Sequence, residues 1–231
     1  MFDTFFISFN ETNQEKNWKK VLEFHPNAIR LHGIKGIDKV HLICNDVCTS
    51  ERFWTIDGDN VLFGKLEWEV TESLENIDLF LFDAMDPIQQ TFTNLGGVKL
   101  WKKNSIINNN MSKGDFCLNA TNTKCVIHHA LSTTEYNTSP YDTWKTAFRH
   151  CVKLKSKIFE NREFATNIKQ YLTQWENCKN LDNGTNNAKW AYRGFQDAGK
   201  YVDKMNNFNS LLKINDYNWL REYFKEKYRE A

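Results

Sequence analysis

Nothing in the 231-residue sequence approaches the ~20 consecutive apolar residues of a membrane span. Its first residues, MFDTFFISFNETNQEKNW, also lack the basic start and apolar stretch of a secretion signal. A cytoplasmic protein that does not cross a membrane is therefore expected. Net charge is equally scarce: 30 Lys and Arg stand against 29 Asp and Glu, a balance of +1. The molecule as a whole offers no field to draw nucleic acid or acidic lipid, so any such partner must be met by a local patch. The six cysteines (Cys44, Cys48, Cys117, Cys125, Cys151, Cys178) contain no Cys-x-x-Cys pair, which excludes a zinc ribbon or a thioredoxin-type motif and leaves ordinary reduced thiols. There is no internal repeat and no long low-complexity tract.

What is abundant is aromatic mass, with 8 Trp, 8 Tyr and 17 Phe, useful as core and as stacking platforms for sugars and bases. Phe2 to Phe9 reads as a strand, and Thr12 with Glu15 has the spacing of a capping box opening a helix with Trp18, Val21 and Leu22 on one face. Ala28 to His32 reads as a second strand, Ile37 to Cys48 as a second helix, and Arg52 to Ile56 as a third strand. Three such units in succession predict parallel strands with a ligand site beyond their carboxyl ends. Further strands of mixed direction are expected over Lys65 to Val70, Ile77 to Phe82, Val98 to Trp101 and Cys125 to His128. From Ser139-Pro140 onward the pattern is helical, with further helices around Phe164, Ile168, Leu172 and Trp175 and around Trp219, Leu220, Tyr223 and Phe224. The expected organisation is an α/β core over residues 1–138 and a helical part over 139–231 packed on it within the same domain.

The segment FWTIDGDN, residues 53–60, places the carboxylates of Asp57 and Asp59 two residues apart at the end of a buried strand, with Gly58 between them. Two carboxylates offer a hard divalent cation, Mn²⁺ or Mg²⁺, the oxygen ligands it takes, and such a cation neutralises a diphosphate leaving group. Glycine lets the backbone approach the ligand. A bare Asp-Gly turn is the competing explanation, and the position at the third strand of a βαβαβ unit favours the metal site.

The ordered segments FFISFNET, HGIKGI, FWTIDGDN, LGGVKLW, YDTWKTAFRHCVKL and INDYNWL resemble a group of small glycosyltransferases of T-even-like bacteriophages, related to enzymes that add arabinose to 5-hydroxymethylcytosine in phage DNA. The resemblance spans nearly the whole chain. It implies a GT-A fold, a Rossmann-like mixed sheet with flanking helices and a helical C-terminal part. It also implies a UDP-sugar donor and duplex DNA as acceptor. On this basis the donor is expected near Phe9, Asn10 and Glu11, the loop of His32, Gly33, Lys35 and Gly36, Trp54, the Asp57-Gly58-Asp59 loop, Gly96, Gly97, Lys99 and Arg149. His128, beside His129, is the candidate third metal ligand with Asp57 and Asp59, and Asp83 and Asp86 are candidates for the general base. Lys145, Arg149, Lys153 and Lys157 recur every four residues and form a basic stripe that would track DNA phosphates or simply face water. Two alternatives stay open: a glycan, protein or small-molecule acceptor, and an inactive nucleotide-sugar-binding module.

Overall fold

The computed structural model describes residues 2–93, 96–106, 116–156, 168–184, 186–205 and 207–228. Lys157 and Phe164 lie outside the described residues. The chain forms two compact units, Met1–Glu135 and Tyr136–Ala231. Among the described residues no helix is long and apolar enough to cross a membrane, and all six cysteines are free thiols.

Unit 1 begins with strand β1 (Asp3–Ser8), helix α1 (Gln14–Phe24), β2 (Ile29–His32), α2 (Ile37–Val47) and β3 (Arg52–Asp57). It continues with β4 (Asn60–Leu62), β5 (Leu79–Met85), β6 (Phe92–Thr93), β7 (Val98–Lys102), the short helix α3 (Phe116–Asn119) and β8 (Lys124–Thr134). Among the described residues these strands make one sheet in the order β2-β1-β3-β7-β5-β8-β4, with β6 attached to β5. β1 pairs in parallel with both β2 and β3, β7 runs antiparallel to β3 and β5, and β8 is parallel to β5. The carboxyl ends of β1, β2, β3 and β5 and the start of β7 therefore share one edge. This mixed α/β sheet is the fold class the sequence predicts.

Period-two alternation sorts the strand residues onto two faces. Phe6, Trp54, Ile56, Phe80, Phe82, Val98 and Leu100 pack in one core with Val21 of α1. Phe5, Phe53, Leu79 and Trp101 pack on the other side with Cys44 and Cys48 at α2 and Phe116 of α3. The sheet also curls. β3 and β4 are joined through Gly58 and Asp59 alone, a link spanning at most ~11 Å, yet they lie four positions apart in the strand order, ~19 Å in a flat sheet.

Two local expectations fail for visible reasons. Lys65 to Val70 forms no strand. Its apolar residues pack as a loop, with Trp68 against Phe80 and Phe82, and with the Leu66 N–H donating to His25 Nε2 at 2.9 Å. The capping box does not form either: α1 starts after Asn13 with no side-chain cap, because the Glu15 carboxylate accepts a two-pronged hydrogen bond from Arg30 on β2 at 2.8 and 2.5 Å.

Unit 2 contains α4 (Pro140–Lys155), α5 (Ile168–Asn177), α6 (Ala188–Lys204), α7 (Phe208–Leu212) and α8 (Tyr217–Lys227). Ser139 caps α4 by accepting from the Asp142 N–H at 3.0 Å, as the Ser-Pro pair predicts. Trp144 and Phe148 of α4 pack against Tyr223 of α8, and Tyr201 of α6 stacks edge-on against Phe148. Asp197, buried among these rings, accepts from Trp144 Nε1 at 2.9 Å and the Tyr228 hydroxyl at 2.7 Å and pairs with Lys227 at 2.7 Å. Helix α6 is absent from the helices expected from the pattern, because Gly194 and Gly199 lower its intrinsic helicity.

Gly194 has a packing reason: a Cβ there would lie 2.6 Å from the Trp144 carbonyl oxygen and 2.9 Å from the Ala147 Cβ on α4. A Cβ on Gly199 would meet only the flexible end of Lys155, at 3.0 Å. Gly194→Ala is expected to destabilise by ~1–3 kcal/mol through overpacking. Gly199→Ala should stabilise by up to ~1 kcal/mol through helix propensity. Urea unfolding of the two variants checks this, and equal effects would contradict the α4–α6 geometry.

Candidate functional site

The shared edge of unit 1 collects the segments after β1, β2 and β3 and the loop before β7. At its centre is Asp57, the last residue of β3, whose backbone N–H donates to the Gly97 carbonyl at 2.9 Å and so extends the β3–β7 ladder by one step. One carboxylate oxygen, Oδ2, pairs with Lys99 Nζ at 2.9 Å. The other, Oδ1, is buried and has no hydrogen-bond partner among the described residues. The Lys99 side chain is only 6% exposed and that of Asp57 34%, so this ion pair is shielded on the lysine side and meets solvent on the aspartate side.

Gly58 and Gly97 are both required by close approach. A Cβ on Gly58 would lie 2.7 Å from Glu11 Oε2 and 3.0 Å from the Ser8 Cβ, while one on Gly97 would overlap the Asn60 carboxamide nitrogen. Glu11 is held there by accepting from the Phe9 N–H at 2.7 Å, and buried Asn17 of α1 donates to the Gly58 carbonyl at 3.0 Å. Asn60, the residue after the motif, was missed by sequence reasoning. Its Oδ1 accepts from Ser132 at 2.8 Å and Thr134 at 3.1 Å, and its Nδ2 donates to Asp59 Oδ1 at 2.8 Å. Only the curl of the sheet brings β8 to that position, so no local pattern carried the signal.

The remaining candidates sort by place. His32, exposed at the end of β2, shares a hydrogen bond with Ser8 at 3.0 Å across the β1–β2 pair, and Gly33 and Gly36 take positive φ angles of 74° and 113°. Lys35 is exposed on the same loop, near Phe9, Asn10 and Glu11 at the end of β1. Gly96 lies against the Phe82 carbonyl, with no room for a Cβ. Trp54 does not reach the edge: it is 2% exposed and packs against Phe82, because alternation along β3 turns it into the core. Asp86 is engaged by its own turn, accepting from the Ile88 and Gln89 N–H groups at 2.8 Å each, and is 1% exposed. Arg149, in unit 2, donates to the Ile214 carbonyl at 2.8 Å and lies over the Tyr217 ring, so its guanidinium braces the turn before α8. Lys145 pairs with Asp142 at 3.1 Å on the same helix.

The three-ligand metal shell of Asp57, Asp59 and His128 is not assembled. Among the described residues no three His, Cys, Asp or Glu side chains come together around a cation position. His128 Nδ1 instead bonds Asp83 Oδ2 at 3.1 Å.

No family model and no curated protein matches the chain. Among solved structures it is similar to a glycosyltransferase involved in the glycosylation of the major capsid of PBCV-1, at 11% identity and a TM-score of 0.37, over 59% of this chain and 94% of that one. It is also similar to S. aureus TarS 1–349, at 11% identity and a TM-score of 0.34, over 96% of this chain and 92% of that one. TM-scores this low define no common fold.

Behind the ion pair, His41 of α2 is fully buried against Trp101 and Phe116, its Nδ1 donating to the Ile37 carbonyl at 2.8 Å. Burial, reinforced by the Lys99 ammonium, pushes its pKa down from 6.5 to about 4. The neutral ring therefore contributes stability that is present above pH 6.5 and is lost as pH falls towards about 4, on the order of 3 kcal/mol in all. His41→Phe keeps the ring stack and removes the titration. Its urea-unfolding free energy should fall less steeply over that range than the wild type's, with His25, also pushed down by burial, supplying part of the remaining slope. Parallel pH dependences would contradict the assignment.

Proposed function

We propose that this chain is a nucleotide-sugar-dependent glycosyltransferase of the GT-A type, with its donor held at the edge of unit 1. The observation that carries the reading is Asp57. Its carboxylate ends a central strand, one oxygen is neutralised by buried Lys99, and the other is buried with no hydrogen-bond partner among the described residues, beside two glycines against which Glu11 and Asn60 close in. A buried acceptor atom without a donor is costly unless a ligand satisfies it. The ribose hydroxyls of a nucleotide, or a divalent cation carrying a diphosphate, supply what Oδ1 lacks.

Asp57 and Asp59 offer only oxygen atoms, which suits Mn²⁺ or Mg²⁺, and the remaining positions would fall to the diphosphate and water. When bound, such a cation stabilises the charge that develops on the leaving diphosphate. The chain's own contribution is to fix Asp57 through Lys99 and the Gly97 carbonyl, to hold Asp59 through Asn60, and to present the amide-rich Gly96-Gly97 turn to the donor. The ends of β1 and β2, with Phe9, Asn10, Glu11 and the His32 to Gly36 loop, are the natural seat of the nucleoside in a sheet whose strands point there.

For the acceptor, the resemblance to the phage enzymes favours the hydroxyl of 5-hydroxymethylcytosine in duplex DNA and arabinose as the sugar. The basic stripe gives this little help, since Lys145 and Arg149 are engaged within unit 2. That engagement, with a net charge of +1, favours as second reading a glycan, protein or small-molecule acceptor.

The test is hydrolysis of a panel of UDP-sugars by purified protein with Mn²⁺. Asp59→Asn should lower the rate by ~10²-fold or more with the fold retained. Undiminished hydrolysis in that variant, or in wild type after exhaustive chelation, would remove the metal-assisted donor site. Mass spectrometry of nucleosides from hydroxymethylcytosine DNA incubated with protein and the same panel decides the acceptor: a glycosylated nucleoside is expected, and its absence for every donor selects the second reading.

A further inference from the structure

β5 and β8 run in register from Leu79 opposite Lys124 to Phe82 opposite Ile127, and then slip, so that Asp83 faces Ala130. His128 and His129 are the extra residues of this bulge. Bulges bend a strand and re-aim its side chains, and they gather at active sites. Here the bulge delivers the His128 ring to Asp83, Nδ1 to Oδ2 at 3.1 Å. The two partners differ sharply in exposure: the histidine side chain is 72% exposed and the aspartate side chain 8%. A carboxylate only accepts, so the neutral ring donates from Nδ1 and carries its lone pair on Nε2.

The pair faces the donor edge. Lys99 stands opposite both Thr55 and Leu81, so period two places Asp57, Lys99 and Asp83 on one face of the sheet. Continuing the ladder puts Gly97 between the two aspartates, which are then two strand spacings apart, ~10 Å. Gly97 brings no side chain of its own to this row, and the Asn60 carboxamide fills the space beside it. A diphosphate at Asp57 would lay its sugar over the Asn60 carboxamide towards the solvent-exposed ring of His128.

We propose that His128 takes the proton from the attacking hydroxyl and that Asp83 is the positioning residue behind it. The proposal rests on the reading of the Asp57-Gly58-Asp59 loop as the donor site. In the step, the acceptor oxygen forms a bond to the anomeric carbon while the bond from that carbon to the diphosphate oxygen breaks. The bonding pair leaves with the diphosphate. The acceptor O–H proton passes to His128 Nε2, and the imidazolium that results is balanced by the Asp83 carboxylate. Asp83 was itself a candidate base; its burial behind the ring gives it the supporting part instead.

Water is the simplest acceptor hydroxyl, so hydrolysis of UDP-sugars in the presence of Mn²⁺ tests the step without knowledge of the natural acceptor. His128→Ala, a change at an exposed bulge, is expected to lower kcat by ~10²–10⁴-fold, to leave the donor KM within about twofold, and to regain rate with added free imidazole. Asp83→Asn should lower kcat by at least ~10-fold with no response to imidazole, since the ring is still present but loses its orientation. Hydrolysis by His128→Ala within about twofold of wild type, a loss expressed in KM alone, or a loss that imidazole does not restore would overturn the proposal and leave the donor site standing. Wild-type protein that neither binds nor hydrolyses any UDP-sugar would instead bring down the donor reading and this inference with it.

Discussion

The site of unit 1 depends on one carboxamide. Asn60 begins β4, a strand that follows β3 after a two-residue link but lies on the far side of the sheet. Its side chain accepts from two hydroxyls of β8, donates to Asp59 and occupies the space left by Gly97 on β7. It is 1% exposed, so these bonds form without competition from water. A glutamine would be too long, and an aspartate would lose the donor to Asp59. With this junction in place the sheet curls, and the loop bearing the two motif carboxylates becomes part of a closed, hydrogen-bonded seam.

The seam explains how the edge tolerates its charge. Asp57, Asp59 and Glu11 crowd around Gly58, and each is tied by a different device: an ammonium for Asp57, a carboxamide for Asp59, a backbone N–H for Glu11. Lys99 is held inside by flanking aromatic core, with Trp101 two residues along β7 and the neutral ring of His41 close by. A buried lysine needs a partner of opposite charge, and Asp57 supplies it while keeping one oxygen in reserve. The same face carries Asp83 and the bulged His128, so acid, base and cation are distributed along a single row of strand ends rather than gathered into one cluster.

Unit 2 solves a different problem with aromatic mass. Its buried carboxylate, Asp197, is met by an indole, a phenol and an ammonium, and its α4–α6 crossing is brought close by Gly194. The cations that sequence spacing lines up on α4 are drawn into this structure: Arg149 to the turn before α8, Lys145 to Asp142. Spacing on a helix fixes which residues share a side. It does not say whether that side meets solvent or another element.

Local periodicity and punctuation determined the parallel β1, β2 and β3, their helices α1 and α2, strands β5, β7 and β8, helices α4, α5 and α8, the Ser139 cap and the Asp57-Gly58-Asp59 loop at the end of a buried strand. Those features follow from residues within a dozen positions of one another, where side-chain alternation and turn chemistry act directly. Tertiary structure alone decided the rest. The curl that seats Asn60, the pairing of Lys99 with Asp57, the burial of Trp54, the loop at Lys65 to Val70 and the meeting of His128 with Asp83 all join residues far apart in the chain. Their partners are fixed by strand order and register, and a bulge that shifts register by two residues leaves no mark in hydrophobic pattern.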